Sequence, residues 1–196
     1  MPNWVKTHLT FNGSKEDIES IKQFCKSDDR EFDFRKIVPY PEYWNCPDKY
    51  FIHKDEIVEE TVTGIDGENE QYVSCPTRHI TITSDKPWLD WNKWQIDFWG
   101  TKWNASEPIL GGDDVWFDTA WSFAEPVVIA LSKEFPSVEI LFEYADEDMG
   151  NNCASGNVIN GAISYDIIED PMELAIKVWN EEDCYEFVNG DWKYID

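Results

Sequence analysis

Three segments of this sequence alternate apolar residues with polar ones, which is the pattern of a strand with one buried face. They are residues 4–11, 115–121 and 138–144. In the first segment Val5, Leu9 and Phe11 share one side, so the residues between them share the other side. The sequence therefore predicts a sheet whose two faces differ in polarity.

Helical patterns lie between these strands. Ser14 is a good N-cap for a helix over about 15–26, and Pro126 opens a second helix that ends before Pro136. A further extended segment begins within residues 99–105. The order strand, helix, insertion, strand, strand, helix, strand predicts an α+β, ferredoxin-like fold, in which a four-stranded antiparallel sheet carries two helices on one face.

Two further regions extend this arrangement. The insertion lies between the first helix and the second strand, and its last part, residues 87–98, has helical spacing. Near the C-terminus, a helix from about 171 and a hairpin turning at Asn189-Gly190 are predicted. The predicted organisation is a ferredoxin-like domain over 1–168, with its insertion over about 28–98, and a helix-and-hairpin extension over 169–196 that packs on the same domain.

The net charge of −24 is unevenly distributed. Residues 1–98 carry 12 basic and 19 acidic side chains, whereas residues 99–196 carry 4 and 21. Such a chain repels the phosphates of nucleic acids and anionic membranes, so direct binding to either is not expected. Disorder is not expected either, because 11 Trp and 15% aromatic residues supply the apolar mass for a core.

The sequence also bears on the compartment. No apolar run approaches the roughly 20 residues that span a bilayer, and the N-terminal residues lack a signal-peptide pattern. The five cysteines are far apart and include no C-x-x-C pair. The expected compartment is the cytoplasm, with free thiols, and no zinc site or cofactor is predicted.

Several short motifs support a family resemblance. They are Met1–Val5, Phe32–Phe34 with Ile37–Pro39, Trp99–Ala105, Phe117–Ser122 and Tyr144–Gly150. In these motifs the chain resembles the YubB/Api-type ferredoxin-like domain family, over about residues 1–165 without 45–85. The resemblance implies a ferredoxin-like fold and an association with phages or plasmids. It implies no activity and no catalytic residues, because the function of that family is unknown.

The sheet face that points away from the two helices, called the second sheet face below, is the first candidate binding surface. It is predicted to bear Trp4, His8, Trp116, Asp118 and Glu143. RNA-binding domains of similar topology stack bases on such a face, but here the acidic residues oppose phosphates. The alternative is that the insertion, the C-terminal hairpin or both cover this face, because large exposed apolar patches are rare on monomers.

The segment 99–105 adds further candidates to this binding surface. Trp99, Lys102 and Asn104 belong to it, and Trp121 at the end of a predicted strand joins them. A lone lysine in an acidic half of the chain is suited to holding a carboxylate or phosphate. The alternative is structural: the tryptophans fill the core, and Lys102 pairs with Asp118 or Asp146 across the sheet.

Two weaker sites complete the candidates. Asp146 and Asp148 supply oxygen ligands for Ca²⁺ or Mg²⁺, although the spacing of a calcium loop is missing and a solvated acidic loop is the alternative. Cys153 with His8 is the one nucleophile–base pair that the sequence offers, against the alternative of a packing cysteine.

Three functions follow from these observations. The preferred one is a non-catalytic, acidic accessory protein that engages a basic protein partner, with DNA mimicry as its sharper form. The second is an enzyme or divalent-metal site built from Lys102, Asp118, Asp146 and Asp148. The third is an oligomeric structural protein that pairs through the hairpin 184–195 or a sheet edge.

Overall fold

The structure, a computed structural model, describes residues 2–41, 52–54, 62–63, 69–70, 79–81 and 91–195. The chain divides into two compact units, of which the first combines Met1–Pro39 with Leu89–Asp196 and the second is Tyr40–Trp88. The predicted insertion over about 28–98 includes the whole second unit together with residues 28–39 and 89–98 of the first unit. Its flanks belong to the first unit because Phe32, Phe34 and Trp94 are buried there.

Twelve strands and five helices are present in the described residues. In chain order they are β1 (Trp4–Asn12), α1 (Lys15–Cys25), α2 (Phe34–Ile37), β2 (Ile52–Lys54), β3 (Val62–Thr63), β4 (Asn69–Glu70), β5 (His79–Thr81), α3 (Trp91–Trp99), β6 (Ser106–Leu110), β7 (Asp114–Ala120), α4 (Glu125–Glu134), β8 (Glu139–Asp146), β9 (Ala154–Ile159), β10 (Ala162–Tyr165), α5 (Pro171–Trp179), β11 (Tyr185–Val188) and β12 (Asp191–Tyr194). A short 3-10 turn, Glu182–Cys184, precedes the C-terminal hairpin.

The first unit is built on one antiparallel sheet with the strand order β10-β9-β8-β1-β7-β6. Its central part, β8-β1-β7-β6, has the strand order of a ferredoxin-like fold, in which the first strand lies between the third and the fourth. The predicted α+β ferredoxin-like fold is thus confirmed. The hairpin β9–β10 widens the sheet, and its turn lies at Asn160-Gly161, where the sequence predicts it.

The main core lies on the first face of the sheet. Every second residue of β1, namely Val5, Thr7, Leu9 and Phe11, is buried there. Phe32 and Phe123 stack on Phe117 and Phe142 of the sheet, with ring centroids 5.2 and 5.1 Å apart. α1 and α4 contribute Ile21, Cys25, Val127, Val128 and Leu131 to the buried set.

Local differences from the predicted elements have physical causes. α2 is absent from the prediction because its four residues are too few for a helical period; Asp33 caps it by accepting from the Arg35 backbone N–H. The sequence predicts a strand through Trp121, but the strand ends at Ala120 and the Trp121 backbone is left-handed, with φ of 66°. α3 begins at Trp91, whereas the start predicted at residue 87 lies outside the described residues.

The predicted extension after residue 169 exists as a helix and a hairpin. α5 begins after Asp170, whose carboxylate accepts from the backbone N–H groups of Met172 and Glu173. Its buried residues Leu174, Ala175 and Val178 form a second cluster with Ala145 of the sheet. Ala145 shares the second sheet face with Lys6 and Asp118, so α5 packs on the face opposite to α1 and α4.

The second unit contains two short ladders. β2 pairs with β5 and β3 pairs with β4, in both cases antiparallel. The strand predicted over residues 79–83 is observed as β5. None of the helices in the described parts of the two units is long and apolar enough to cross a membrane.

Candidate functional site

The second sheet face carries a row of four side chains at one level. Antiparallel register places Trp116 of β7 opposite His8 of β1, His8 opposite Glu143 of β8, and Glu143 opposite Ser155 of β9. Directly opposite residues in a sheet have side chains within contact distance on the same face. The row therefore brings an aromatic ring, an imidazole, a carboxylate and a hydroxyl together across four strands.

His8 lies between two carboxylates in this row. Its Nε2 is 3.0 Å from Oδ2 of Asp114, and its Nδ1 is 3.8 Å from Oε2 of Glu143. The ring stacks on Trp116, with centroids 3.8 Å apart and planes 10° apart. The indole N–H of Trp116 also donates to Oδ2 of Asp114, at 3.2 Å. The imidazole is thus fixed in position by its neighbours on both sides.

Glu143 connects the row to α5. Lys177 donates to its Oε1 at 2.5 Å. The His8 imidazole, opposed by burial and assisted by Lys177, lowers the pKa of Glu143 from an ordinary 4.5 to about 2. Glu143 is therefore negatively charged at any physiological pH, and its carboxylate joins a strand to the helix above it.

α5 covers one part of the second sheet face. The Lys6 ammonium lies 4.6 Å from the ring centroid of Trp179, and the Trp179 indole donates to the backbone carbonyls of Ala145 and Asp146. The sequence predicts the insertion or the hairpin as a cover for this face. The contacts identify α5 as a cover within the first unit.

Two grooves flank the Glu143–Lys177 pair. One, of about 390 Å³, is lined among others by His8, Leu141, Ser155 and Asp166. The other, of about 440 Å³, is lined by residues that include Ile109, Trp116, Trp179 and Asn180. His8, Glu143 and Lys177 line both. The part of the face beside α5 therefore consists of concave surface with charged walls.

Asp118 lies one level below this row and is opposite Lys6. Its half-buried carboxylate forms no hydrogen bond or ion pair with any residue that the structure describes. Burial raises the pKa of Asp118, Lys6 lowers it, and Glu107 and Glu147 raise it further. This carboxylate is thus partly removed from water without a direct partner of opposite charge.

A tryptophan cluster lies where β1 begins and β7 ends. The ring centroids of Trp4 and Trp103 are 6.0 Å apart, and those of Trp103 and Trp121 are 5.8 Å apart. Lys102 places its ammonium 5.2 Å from the Trp103 centroid and 5.4 Å from that of Trp121. The structure therefore brings Trp4, Lys102 and Trp121 together, and it adds Trp103, which is not among the predicted surface residues.

Two other predicted surface residues lie elsewhere. Trp99 is fully buried and donates from its indole to the carbonyl of Val38 at 2.9 Å. Asn104 donates to Oδ1 of Asp33 at 2.7 Å and accepts from the Phe34 backbone N–H. For these two residues the structural alternative describes the observed contacts.

The acidic loop after β8 is held together internally. Asp146 is 6% exposed, and its carboxylate accepts from the side chains of Asn3 and Asn152 and from the backbone N–H of Asp148. Asp148 accepts from the side chain of Asn151. Among the described residues no group of three or more His, Cys, Asp or Glu side chains is arranged to hold a metal ion. The oxygens of Asp146 order the loop.

In the described part of the chain, the only hydrogen bond or ion pair among the four residues of the second functional hypothesis joins the Asp148 backbone N–H to Asp146. Asp118 shares the second sheet face with Lys6, whereas Asp146 is opposite Val5 and so belongs to the first face. Lys102 lies over tryptophan rings and pairs with neither of them. Cys153 contacts α5: its thiol donates to the carbonyl of Pro171, and burial raises the pKa of the thiol. These observations describe a packing cysteine and not a nucleophile paired with His8.

The segment of the chain that carries much of this site is similar to a known domain family. Residues 98–191 match the model of the family described as the ferredoxin-like domain in Api92-like protein. This part of the chain is similar to that ferredoxin-like domain. The family is a domain of unknown function, in agreement with the resemblance seen in the sequence. No curated protein and no solved structure gives a significant match.

The segment that matches the family model supplies most of the site residues. Asp114, Trp116, Glu143 and Lys177 lie within the matched segment, whereas His8 comes from β1, outside it. Lys177 and Asp114 were missed because contacts across strands and onto α5 have no signature in a single sequence. Glu143 was placed on the correct face by alternation alone, but nothing in the sequence indicated its pairing.

Proposed function

We propose that this protein is a non-catalytic binding protein whose second sheet face engages a basic segment of a partner protein. The observation that carries the proposal is the pair of grooves beside α5. Carboxylates of Asp114, Glu143 and Asp166 lie at or beside them, with apolar surface from Leu141 and Ile109. A concave surface of this kind matches an extended chain with cationic side chains.

The charge distribution supports the same partner class. Residues 99–196 carry 4 basic and 21 acidic side chains. A field of one sign steers partners of opposite charge and raises their rate of association. The Glu143 carboxylate, with its pKa at about 2, keeps its charge throughout the physiological range.

The geometry of His8 supports binding over catalysis. Both imidazole nitrogens face carboxylates of the protein itself, Asp114 and Glu143. A general base requires a nitrogen within hydrogen-bond reach of the proton that it removes. In the wild-type arrangement the two carboxylates occupy those directions, so His8 organises the charged surface.

The test uses a labelled octalysine peptide and matched pairs of neutralised acids. The face variant carries Glu143→Gln and Asp166→Asn, and the control carries Glu182→Gln and Asp183→Asn in the exposed 3-10 turn. Both remove two negative charges. We expect fluorescence anisotropy to show a loss of affinity several times larger for the face variant. Equal losses would mean that the peptide responds only to net charge.

DNA mimicry is the sharper form of this proposal. In that form the partner is a nucleic-acid enzyme whose basic surface normally holds phosphates. The immobilised protein then captures a DNA-binding protein from a cell lysate at low salt, and added double-stranded DNA releases it. If added DNA does not release the captured protein, the proposal of a basic partner stands and the proposal of DNA mimicry fails.

Self-association is a second candidate, favoured by the hairpin β11–β12. Phe187 and Tyr194 are 58% and 63% exposed on it. Exposed aromatic residues on a hairpin offer a surface for a second copy. Sedimentation equilibrium tests this: a dimer that Phe187→Ser abolishes supports the candidate, and a monomer at all concentrations removes it.

A further inference from the structure

The tryptophan cluster near the start of β1 combines exposure with an unusual backbone. Trp121 is 48% exposed, although its ring contacts Trp103. Its φ of 66° is in the left-handed region, which a bulky side chain rarely adopts. The conformation is held because the Trp121 N–H donates to the Asn3 carbonyl and its own carbonyl accepts from Asn152. Packing alone does not account for a tryptophan here.

The cluster already holds a cation. The Lys102 ammonium lies over both Trp103 and Trp121 and forms no ion pair within the described part of the chain. Aromatic faces attract cations through their quadrupoles, and Trp does so most strongly. Lys102 is therefore an intramolecular occupant of a surface with affinity for positive charge.

Carboxylates without direct partners lie beside the same cluster. Trp4 is opposite Ala120, so Asp118 is its diagonal neighbour on the second sheet face. The Glu147 backbone N–H donates to the Trp4 carbonyl, so the main chain of a second acidic residue lies beside the first residue of β1. Since Lys6 lies over Trp179, no ammonium in the described residues pairs with the Asp118 carboxylate.

From these contacts we infer that Trp4, Trp103 and Trp121, with Asp118 and Glu147, form a site for an arginine side chain of the basic partner. The inference rests on the proposed function, and it specifies the side chain by which the basic partner would be held. A guanidinium is planar, stacks on aromatic rings and presents a fork of N–H groups to carboxylates, whereas an ammonium is a hydrated point charge. Binding displaces Lys102 from the two rings.

The experiment compares labelled octaarginine with labelled octalysine by fluorescence anisotropy at one salt concentration. The two peptides carry equal charge, so their ratio of affinities reports ring contacts beyond simple electrostatics. We expect octaarginine to bind wild type about threefold more tightly. Trp121→Asn, which suits a left-handed backbone, should bring the ratio close to one, whereas Phe187→Ala on the hairpin should leave it unchanged.

A second pair of variants keeps the test decisive if Trp121→Asn fails to fold. Lys102→Met frees the rings, and Lys193→Met on exposed β12 makes the same charge change elsewhere. Octaarginine affinity should rise about threefold more in Lys102→Met than in Lys193→Met.

The outcomes separate the two proposals. Salt-sensitive binding of both peptides, with a ratio unchanged in Trp121→Asn or with equal effects of the two methionine variants, overturns the arginine site and leaves the proposed function standing. If neither peptide binds wild type, the proposed function fails, and the arginine site fails with it.

Discussion

Asp33 shows at the scale of single residues how polar contacts stabilise this fold. Its carboxylate is 1% exposed and accepts from Nε and Nη2 of Arg35 and from Nδ2 of Asn104. Burial alone would raise its pKa, but the donors of Arg35 and Asn104 outweigh burial and hold the pKa well below its usual range. The network fixes the chain between α1 and α2.

Asp33→Asn is expected to destabilise the protein by about 3 kcal/mol, because it leaves the Arg35 guanidinium without its buried partner. Urea unfolding at pH 7 measures this. Asp29→Asn is the control, since Asp29 contacts the same guanidinium from an exposed position, and its unfolding midpoint should remain close to that of wild type. Equal midpoints for the two variants would contradict this account of Asp33.

Glu143 gives the stability a specific dependence on pH. Its pKa is about 2 in the folded protein and about 4.3 in an unfolded chain. The ionised side chain therefore stabilises the fold fully above about pH 4.5, and this contribution is lost as the pH falls towards 2.

Between pH 4.5 and 2, the unfolding free energy of wild type should fall by on the order of 2 kcal/mol more than that of Glu143→Gln. Denaturant unfolding at a series of pH values measures it, with the exposed Glu147→Gln as the control. Curves for wild type and Glu143→Gln that stay parallel from pH 7 to pH 2 would show that Glu143 has no such role.

At the scale of elements, one carboxylate joins α5 to the C-terminal hairpin. Oδ1 of Asp170 accepts from the Met172 and Glu173 backbone N–H groups, and Oδ2 accepts from the Trp192 indole at 2.8 Å. The cap of the helix and the anchor of the hairpin are therefore the same side chain.

Asp170→Ala should cost about 1 kcal/mol through the lost cap and should also release the hairpin. Hydrogen exchange by NMR distinguishes the two effects, because the Trp192 indole N–H and the β11–β12 amides should exchange faster than those of β8. Asp191→Ala, at the start of β12, is the control. Unchanged hairpin exchange in Asp170→Ala would mean that other contacts hold β11–β12.

The sequence predicted most elements of the first unit and few of their long-range contacts. Alternation and caps identified β1, β7, β8, α1 and α4, because these signals are local. The apolar side of α5 was visible at Leu174, Ala175 and Val178, but its docking on Ala145 depends on residues about 30 positions away. Trp121 was assigned to a strand since nothing local predicts a left-handed tryptophan.

At the scale of the whole molecule, the sequence predicted an acidic second half but not the arrangement of its charges. The Asp146 carboxylate accepts hydrogen bonds that order the loop after β8, whereas Asp118 and Asp166 lie on or beside the second sheet face. Only the register of the strands separates these roles. The residues that charge alone singled out therefore serve different purposes.

Charge at this scale should govern association rates. The association rate constant of octalysine is expected to fall about tenfold or more between 0.02 and 0.3 M salt, because the Debye length shortens from about 20 to about 6 Å. Stopped-flow anisotropy measures the rate constant, and the dissociation rate should change much less. A rate constant independent of salt would show that the acidic field does not steer the partner.

A map of the binding surface tests whether the second sheet face engages a basic partner. Octalysine is titrated into isotopically labelled protein, and ¹H–¹⁵N spectra report the shifts of backbone amides and side chains. We expect the largest shifts along β1, β8 and α5, around His8, Glu143 and Lys177. Shifts confined to the loop 146–152 or the turn 181–184, with β1 and α5 unaffected, would contradict this expectation.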